Sequence, residues 1–233
     1  IVKNEVDFLV KHEIEGQVDP QNDSNDGILN GEYVFFHDNG NIKMKKKYLS
    51  DLLHGEQVDF FKSGRIYRKR FYDNGVLDTL KKTLQYYESG SIFSEYDEIE
   101  NDNQIILNDQ YVAYFENGNK QYEGQYKDGF KINQWFEYYD TGEIYSKKIY
   151  KDDFIPVNYY YKDGTLMIES VLSIIGEKFN GLYKKFYFNG ALMEEGKYIE
   201  GIKDALWLTY FENGNIRFKK LNYRKRKNIP DLL

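Results

Sequence analysis

Residues 181–201 read GLYKKFYFNG followed by ALMEEGKYIEG. The stretch from Leu182 to Phe188 is rich in aromatic residues, which favour extended backbone. Asn189-Gly190 is a two-residue reversal of the type I′ kind, since both of its residues need positive φ and Asn and Gly tolerate that best. Ala191 to Tyr198 then returns as a second strand. Gly181 opens the first strand, and Gly201 marks the bend into whatever follows. The segment therefore predicts one β-hairpin and the start of the next.

The same signature recurs eight times: FHDNG, FFKSG, YYESG, YFENG, YYDTG, YYKDG, FYFNG and YFENG. The glycines are Gly40, Gly64, Gly90, Gly118, Gly142, Gly164, Gly190 and Gly214, at steps of 24, 26, 28, 24, 22, 26 and 24 residues. A repeat of that length is one supersecondary unit that stacks on its neighbours. Further turn signals at Gly75, Gly129 and Gly201 join successive hairpins, and Gly31, Gly55 and Gly181 open first strands. The expected fold is all-β: tandem hairpins forming an elongated, twisted, largely single-layer antiparallel sheet. The expected organisation is an acidic N-terminal segment over 1–30, eight hairpin repeats over 31–222, and a basic tail over 223–233. The third copy departs most. Its connection from Glu98 to Asp109 is acidic and Asn-rich, and reads as a bulging loop.

Tight turns fix register, so facing pairs follow by counting. Phe115 is expected to face Lys120, Tyr111 to face Gly124 and Tyr183 to face Gly196. A glycine opposite a large ring is an aromatic-rescue pair. Tyr33, Trp135 and Trp207 are expected opposite Lys46, Lys148 and Lys220, with the lysine stems stacked on the rings. Alternation then assigns faces. One face carries Tyr33, Tyr111, Trp135, Tyr183 and Trp207, joined by Ile and Leu residues from the return strands. The other carries the first member of each aromatic pair: Phe36, Phe60, Tyr86, Tyr114, Tyr138, Tyr160, Phe186 and Tyr210. Both faces hold apolar groups among Lys and Glu, whereas a half-buried sheet is ordinarily polar on one side. Either the sheet covers part of itself, or one face receives a partner.

These residues resemble the MORN type of repeat, in a bacterial variant that carries an antitoxin label. The matching pattern is G-x-[YW]-x-x-[FY]-[FY]-x-x-G-x-[IL], then a return strand ending in Tyr. Departures are His37 for an aromatic, Lys120 for the Ile or Leu, and Gln57, Thr83 and Val157 for the first ring. The resemblance implies a mostly single-layer sheet used for scaffolding or binding, with lipid association in some members. The antitoxin label implies no mechanism.

Composition narrows the chemistry. Aromatics make up 18% of the chain, with 23 Tyr and 16 Phe, far above what a disordered segment carries. There is no cysteine, which removes disulfides, thiolate metal sites and a cysteine nucleophile. The net charge of -6 is uneven: residues 1–30 hold two basic and seven acidic residues, and the remainder is near neutral. That balance disfavours nucleic acid as a partner. No phosphate-binding loop, nucleophile elbow or dinucleotide fingerprint occurs. His12, His37 and His54 share no metal-like spacing. His37 reads as a packing substitute and His54 as a turn residue. Asn22 to Gly27 has the front half of a calcium loop, but Tyr33 stands where the bidentate carboxylate is needed. No catalytic residue, metal or cofactor is expected.

The sequence thus points to a non-enzymatic scaffold that binds a protein partner through its aromatic face, with the eight first-member rings as candidates. Self-association is a second mode. An alternative is peripheral contact with an anionic membrane through Lys219, Lys220, Arg224, Lys225, Arg226 and Lys227. The plainer reading of those cations is a solvated terminus that blunts a sheet edge. Carbohydrate binding on the flat rings is a third reading. The absence of an initial Met, the lack of Cys and the Tyr/Asn/Lys-rich surface set the expected location at a bacterial envelope or outside the cell, with the cytoplasm as alternative.

Overall fold

The structure, a computed structural model, describes residues 28–101 and 104–222. Among these residues there are 18 strands and no helix, and every pairing is antiparallel between near neighbours in sequence. The fold is all-β and made of tandem hairpins. The expected 1–30 and 223–233 segments lie largely outside the described residues, as do His12 and the calcium-like stretch at 22–27.

Contacts divide the chain into two units, residues 28–132 with 140–142, and residues 133–139 with 143–222. The first unit holds β1 (Gly31–Phe36), β2 (Ile42–Leu49), β3 (Leu52–Leu53), β4 (Gly55–Phe60), β5 (Ile66–Asp73) and β6 (Val76–Leu77). It continues through β7 (Thr83–Tyr86), β8 (Ile92–Asn101), β9 (Gln104–Tyr114) and β10 (Lys120–Lys127). The unit boundary falls within β11 (Phe130–Tyr138). The second unit continues with β12 (Ile144–Tyr150), β13 (Phe154–Tyr160), β14 (Leu166–Ser173), β15 (Phe179–Phe186), β16 (Leu192–Ile199), β17 (Ile202–Tyr210) and β18 (Ile216–Asn222).

The hairpin turns differ from the two-residue reversal expected at Asn-Gly. In the first copy Gly40 N donates to His37 O at 3.0 Å and His37 N to Asn41 O at 2.8 Å. Positive φ falls on Gly40 (83°) and not on Asn39. This is a three-residue loop, a type I turn followed by a left-handed glycine that forms a bulge. The Asn acts through its side chain instead. Its Oδ1 accepts from the backbone N two residues on, as in Asn39 to Asn41, Asn117 to Asn119, Asn189 to Ala191 and Asn213 to Asn215. The type I′ signature sits at the bends between hairpins. There both central residues have positive φ: Ser50-Asp51, Asn74-Gly75, Asp128-Gly129 and Glu200-Gly201.

A second bulge restores the counting. Phe36 faces Ile42, but Phe35 faces Met44, which leaves Lys43 as an extra residue. The same insertion recurs three positions after each hairpin glycine, at Tyr67, Phe93, Gln121, Tyr145, Met167, Met193 and Arg217. The two irregularities offset each other. Tyr33 faces Lys46, Tyr111 faces Gly124, Trp135 faces Lys148, Tyr183 faces Gly196 and Trp207 faces Lys220, as counted. Between the bulges the count fails: Lys120 faces Tyr114, not Phe115.

The segment from Glu98 to Asp109 is not a bulging loop. It is the outer half of β8 and β9, with Ile99 opposite Ile106 and Asn101 opposite Gln104. Its β-branched isoleucines pair across the ribbon, and that outweighs its acidic, Asn-rich composition.

Most of the buried side chains fall on one face, although Val58, on the other, is 9% exposed. In the second unit Ile155, Val157 and Leu172 form a core cluster with Tyr150, Tyr159 and Phe179 packed on it. Trp207 is 3% exposed. In the first unit Tyr72, Leu77, Tyr96, Ala113 and Tyr126 are buried. By strand alternation the second-unit residues lie on the face that carries Trp207, and the first-unit residues on the face that carries Tyr33.

Candidate interaction surface

The first-member rings occupy the last residue of each outgoing strand, next to the hairpin turn. Phe36 is 42% exposed. Phe60, Tyr86, Tyr114, Tyr138, Tyr160, Phe186 and Tyr210 are half-buried. In each unit they lie on the face opposite that unit's core. Beside them runs a central row in which an outgoing strand supplies an apolar group and the return strand a charge. In the first unit it reads Val34 beside Lys45, Val58 beside Lys69, Leu84 beside Glu95 and Val112 beside Glu123. In the second unit Phe136 faces Lys147 and Leu208 faces Lys219, while Asn158 faces Glu169 and Lys184 faces Glu195.

The row anchors the rings. Tyr114 Oη donates to Glu95 Oε1 at 2.7 Å, and Tyr210 Oη to Glu195 Oε1 at 2.6 Å. Burial, with the Glu95 contact added, pushes the Tyr114 hydroxyl up to about 12. The hydrogen bond to Glu195 raises that of Tyr210, helped by burial. Both phenols thus stay neutral donors at physiological pH. The surface offers aromatic rings, two of them tied to carboxylates, together with neutral hydroxyls and charges of both signs. It can dock another surface by packing and directed hydrogen bonds.

The second members of the aromatic pairs join one hairpin to the next. Tyr87 Oη donates to Tyr114 O at 2.8 Å, Tyr139 to Tyr160 O at 2.8 Å, Tyr161 to Phe186 O at 2.9 Å and Tyr187 to Tyr210 O at 2.8 Å. His37 keeps this role as well as the slot, with Nε2 3.0 Å from Phe60 O. His54 lies at a bend, with Nδ1 3.3 Å from Asp73 Oδ1.

Several cations of the first unit are matched by carboxylates. Arg68 pairs with Asp59, Lys45 with Glu32 and Lys69 with Glu56. Arg70 is buried against Glu98, with Nε 2.5 Å from Oε1, and Thr83 Oγ1 donates to the same carboxylate at 2.6 Å. Sequence reading missed this triad. The signal for half of it was present, because Thr83 and Gln57 break the ring column and Arg70 faces Gln57. Glu98 lies beyond a register shift after Tyr96, which counting from the turn does not reach. Lys46 lies over Phe35 at 5.8 Å, Lys203 over Trp207 at 3.8 Å, and Lys148 reaches Glu177.

Lys219 and Lys220 are exposed on β18. Arg224, Lys225, Arg226 and Lys227 lie outside the described residues. No group of three or more metal-ligating side chains occurs among the described residues, and no helix there is long and apolar enough to cross a membrane.

The family model described as a MORN repeat variant matches residues 29–49, 110–128, 179–200 and 203–225. No curated protein matches the chain. Among solved structures, the crystal structure of TcdB2-TccC3-Cdc42 aligns at 10% identity and a TM-score of 0.24, over 81% of this chain and 12% of that one. A mutant Tc holotoxin pore of Photorhabdus luminescens aligns at 11% and 0.22, over 84% and 13%. Scores this low establish no common arrangement, and the chain spans only 12% to 13% of those proteins. The matched segments coincide with hairpins whose turns, bulges and inter-hairpin bonds repeat along the described chain, and at those four places the chain is similar to the MORN repeat variant.

Proposed function

We propose that this scaffold is non-enzymatic and binds a protein partner through the face that carries Phe36, Phe60, Tyr86 and Tyr114 in the first unit and Tyr138, Tyr160, Phe186 and Tyr210 in the second. One observation carries the reading: these rings stay half-exposed on the face that the core does not use. Tyr and Phe in such positions give large contact area at low entropic cost. The test is capture of partners from an extract of the source organism by the full chain. A Phe36→Ser, Phe60→Ser variant should lose the captured protein, and Phe188→Ser, on an exposed turn ring, should retain it. Capture that survives the paired change overturns the reading.

The exposed cations of β18 favour a second reading, contact with an anionic membrane. Co-sedimentation with vesicles containing phosphatidylserine should then fall several-fold in Lys219→Glu, Lys220→Glu. Equal sedimentation of variant and wild type removes it.

A further inference from the structure

The bends at Asn74-Gly75, Asp128-Gly129 and Glu200-Gly201 place glycine second in the left-handed pair. The bend after β14 inverts that order, with Gly176 at φ 73° and Glu177 at φ 47°. A left-handed glutamate is disfavoured, because its Cβ crowds the following carbonyl. A side chain kept at such a place against the preference of the backbone points to a role for that side chain.

The contacts of Glu177 show the role. Lys148 Nζ donates to Glu177 Oε2 and Tyr150 Oη donates to Glu177 Oε1, each at 2.6 Å. Both donors sit on β12, while Glu177 belongs to the bend that joins β14 to β15. β13 lies between, paired with β12 on one side and with β14 on the other. Tyr150 also packs on the cluster of Ile155, Val157 and Leu172. The tyrosine and the glutamate thus close a bridge over the core face of β13. A sheet leaves its apolar face to solvent unless something lies across it. Here Ile155 and Val157 are each 1% exposed. The bend's own apolar side chains are not what holds it, since Ile174 and Ile175 are exposed. At its base Ser173 N donates to Lys178 O at 2.8 Å, and Ser173 Oγ to Ile175 O at 3.0 Å.

We infer that residues 174–178 form a strap over the core of the second unit, latched by Glu177 on Lys148 and Tyr150, and that release of the latch opens the strap locally and uncovers Ile155, Val157 and Leu172. The closed strap bears the left-handed backbone at Glu177 and gains two charge-assisted hydrogen bonds. The open strap sheds the first and loses the second. The balance between the two states is set at one carboxylate, so a change there moves the strap and leaves the strand ladders in place.

Hydrogen exchange of the full chain reads the opening at the Ser173 amide. In the wild type that amide should exchange at a rate indifferent to urea below the unfolding transition, the mark of a local opening. Glu177→Gly removes the latch and relieves the backbone at once, and should speed Ser173 exchange about tenfold while amides of β16 and β17 keep their protection. Lys148→Met, which removes one donor, should give a smaller rise. The fluorescence of 8-anilinonaphthalene-1-sulfonate should brighten several-fold on Glu177→Gly relative to the wild type. Unchanged Ser173 exchange and an unchanged dye signal in both variants overturn the inference. Loss of protection spread evenly over the second unit also overturns it, because Glu177 then supports the whole core and not a strap. So does wild-type Ser173 exchange that rises with urea in step with the strands, a result that needs no variant and stands if Glu177→Gly fails to fold.

Discussion

Gly196 shows how one atom can matter. It faces Tyr183 within its own hairpin, and the ring of Trp207 lies on it from the next strand. A Cβ built there would meet the Trp207 ring at 2.3 Å. Its φ is ordinary, so the demand is space and not backbone freedom. Gly196→Ala should destabilise the protein by about 1–3 kcal/mol through displacement of a buried indole. Urea denaturation read by tryptophan fluorescence checks this; an unchanged midpoint refutes it. The Arg70–Glu98 pair makes the opposite point. Glu98→Ala leaves a buried guanidinium without its carboxylate and strips Thr83 of its acceptor, so a loss of about 3–5 kcal/mol is expected. Arg70→Met combined with Glu98→Leu should cost less than Glu98→Ala alone, because no uncompensated charge remains. A double variant less stable than the single one contradicts that account. Gly196 was legible in the sequence, since bare positions opposite rings follow from the turn. Glu98 was not, because its partner depends on an irregularity inside β8.

At the scale of the hairpin, the sequence revealed where the chain reverses and the face of the central residues, but it put the Ile and Leu of the return strands on the Tyr33 face, whereas Ile42 faces Phe36 and Ile216 faces Tyr210 on the other. It did not reveal how the chain reverses. Asn-Gly predicts a two-residue turn from local propensity, and the protein uses it in a three-residue turn closed by the Asn side chain. The pairing beyond Phe35 survived because the bulge at Lys43 cancels the shift, which no propensity for Lys predicts. The inter-hairpin staple was hidden for a similar reason. Tyr and Phe fill the same slot, and only the hydroxyl that meets the next carbonyl tells them apart. Phe61 fills that slot without a hydroxyl, in a copy whose neighbour is Tyr86. Phe61→Tyr should therefore gain up to about 1 kcal/mol, and Tyr139→Phe should lose about 0.5–1.5 kcal/mol. Thermal unfolding of the two variants checks the sign. A staple that contributes nothing would leave both melting temperatures where they began. The candidate rings were legible by alternation alone. The anchoring of Tyr114 and Tyr210 was not, since it comes from Glu95 and Glu195 across the strand.

For the molecule as a whole, the repeat turns one local choice into a property of the entire chain. Each copy places tyrosines where burial opposes ionisation. The hydroxyls of Tyr114, Tyr159 and Tyr183 are pushed up to about 12, in each case chiefly by burial, and that of Tyr96 is also raised by burial. The unfolded chain gives up these protons near pH 10, the ordinary tyrosine value. Above that pH the folded state holds more protons than the unfolded state, so stability falls as pH rises. The contribution of these groups is fully present below about pH 10 and is lost through the folded values near 12. Because the sites lie in both units, neither is spared. Denaturation midpoints should be level from neutral pH to about pH 10 and then drop steeply, with tyrosinate absorbance rising in step with loss of β-structure. Tyrosine ionisation complete by about pH 10 in a still-folded chain would show that the rings are solvated and that their burial does not hold the sheet together.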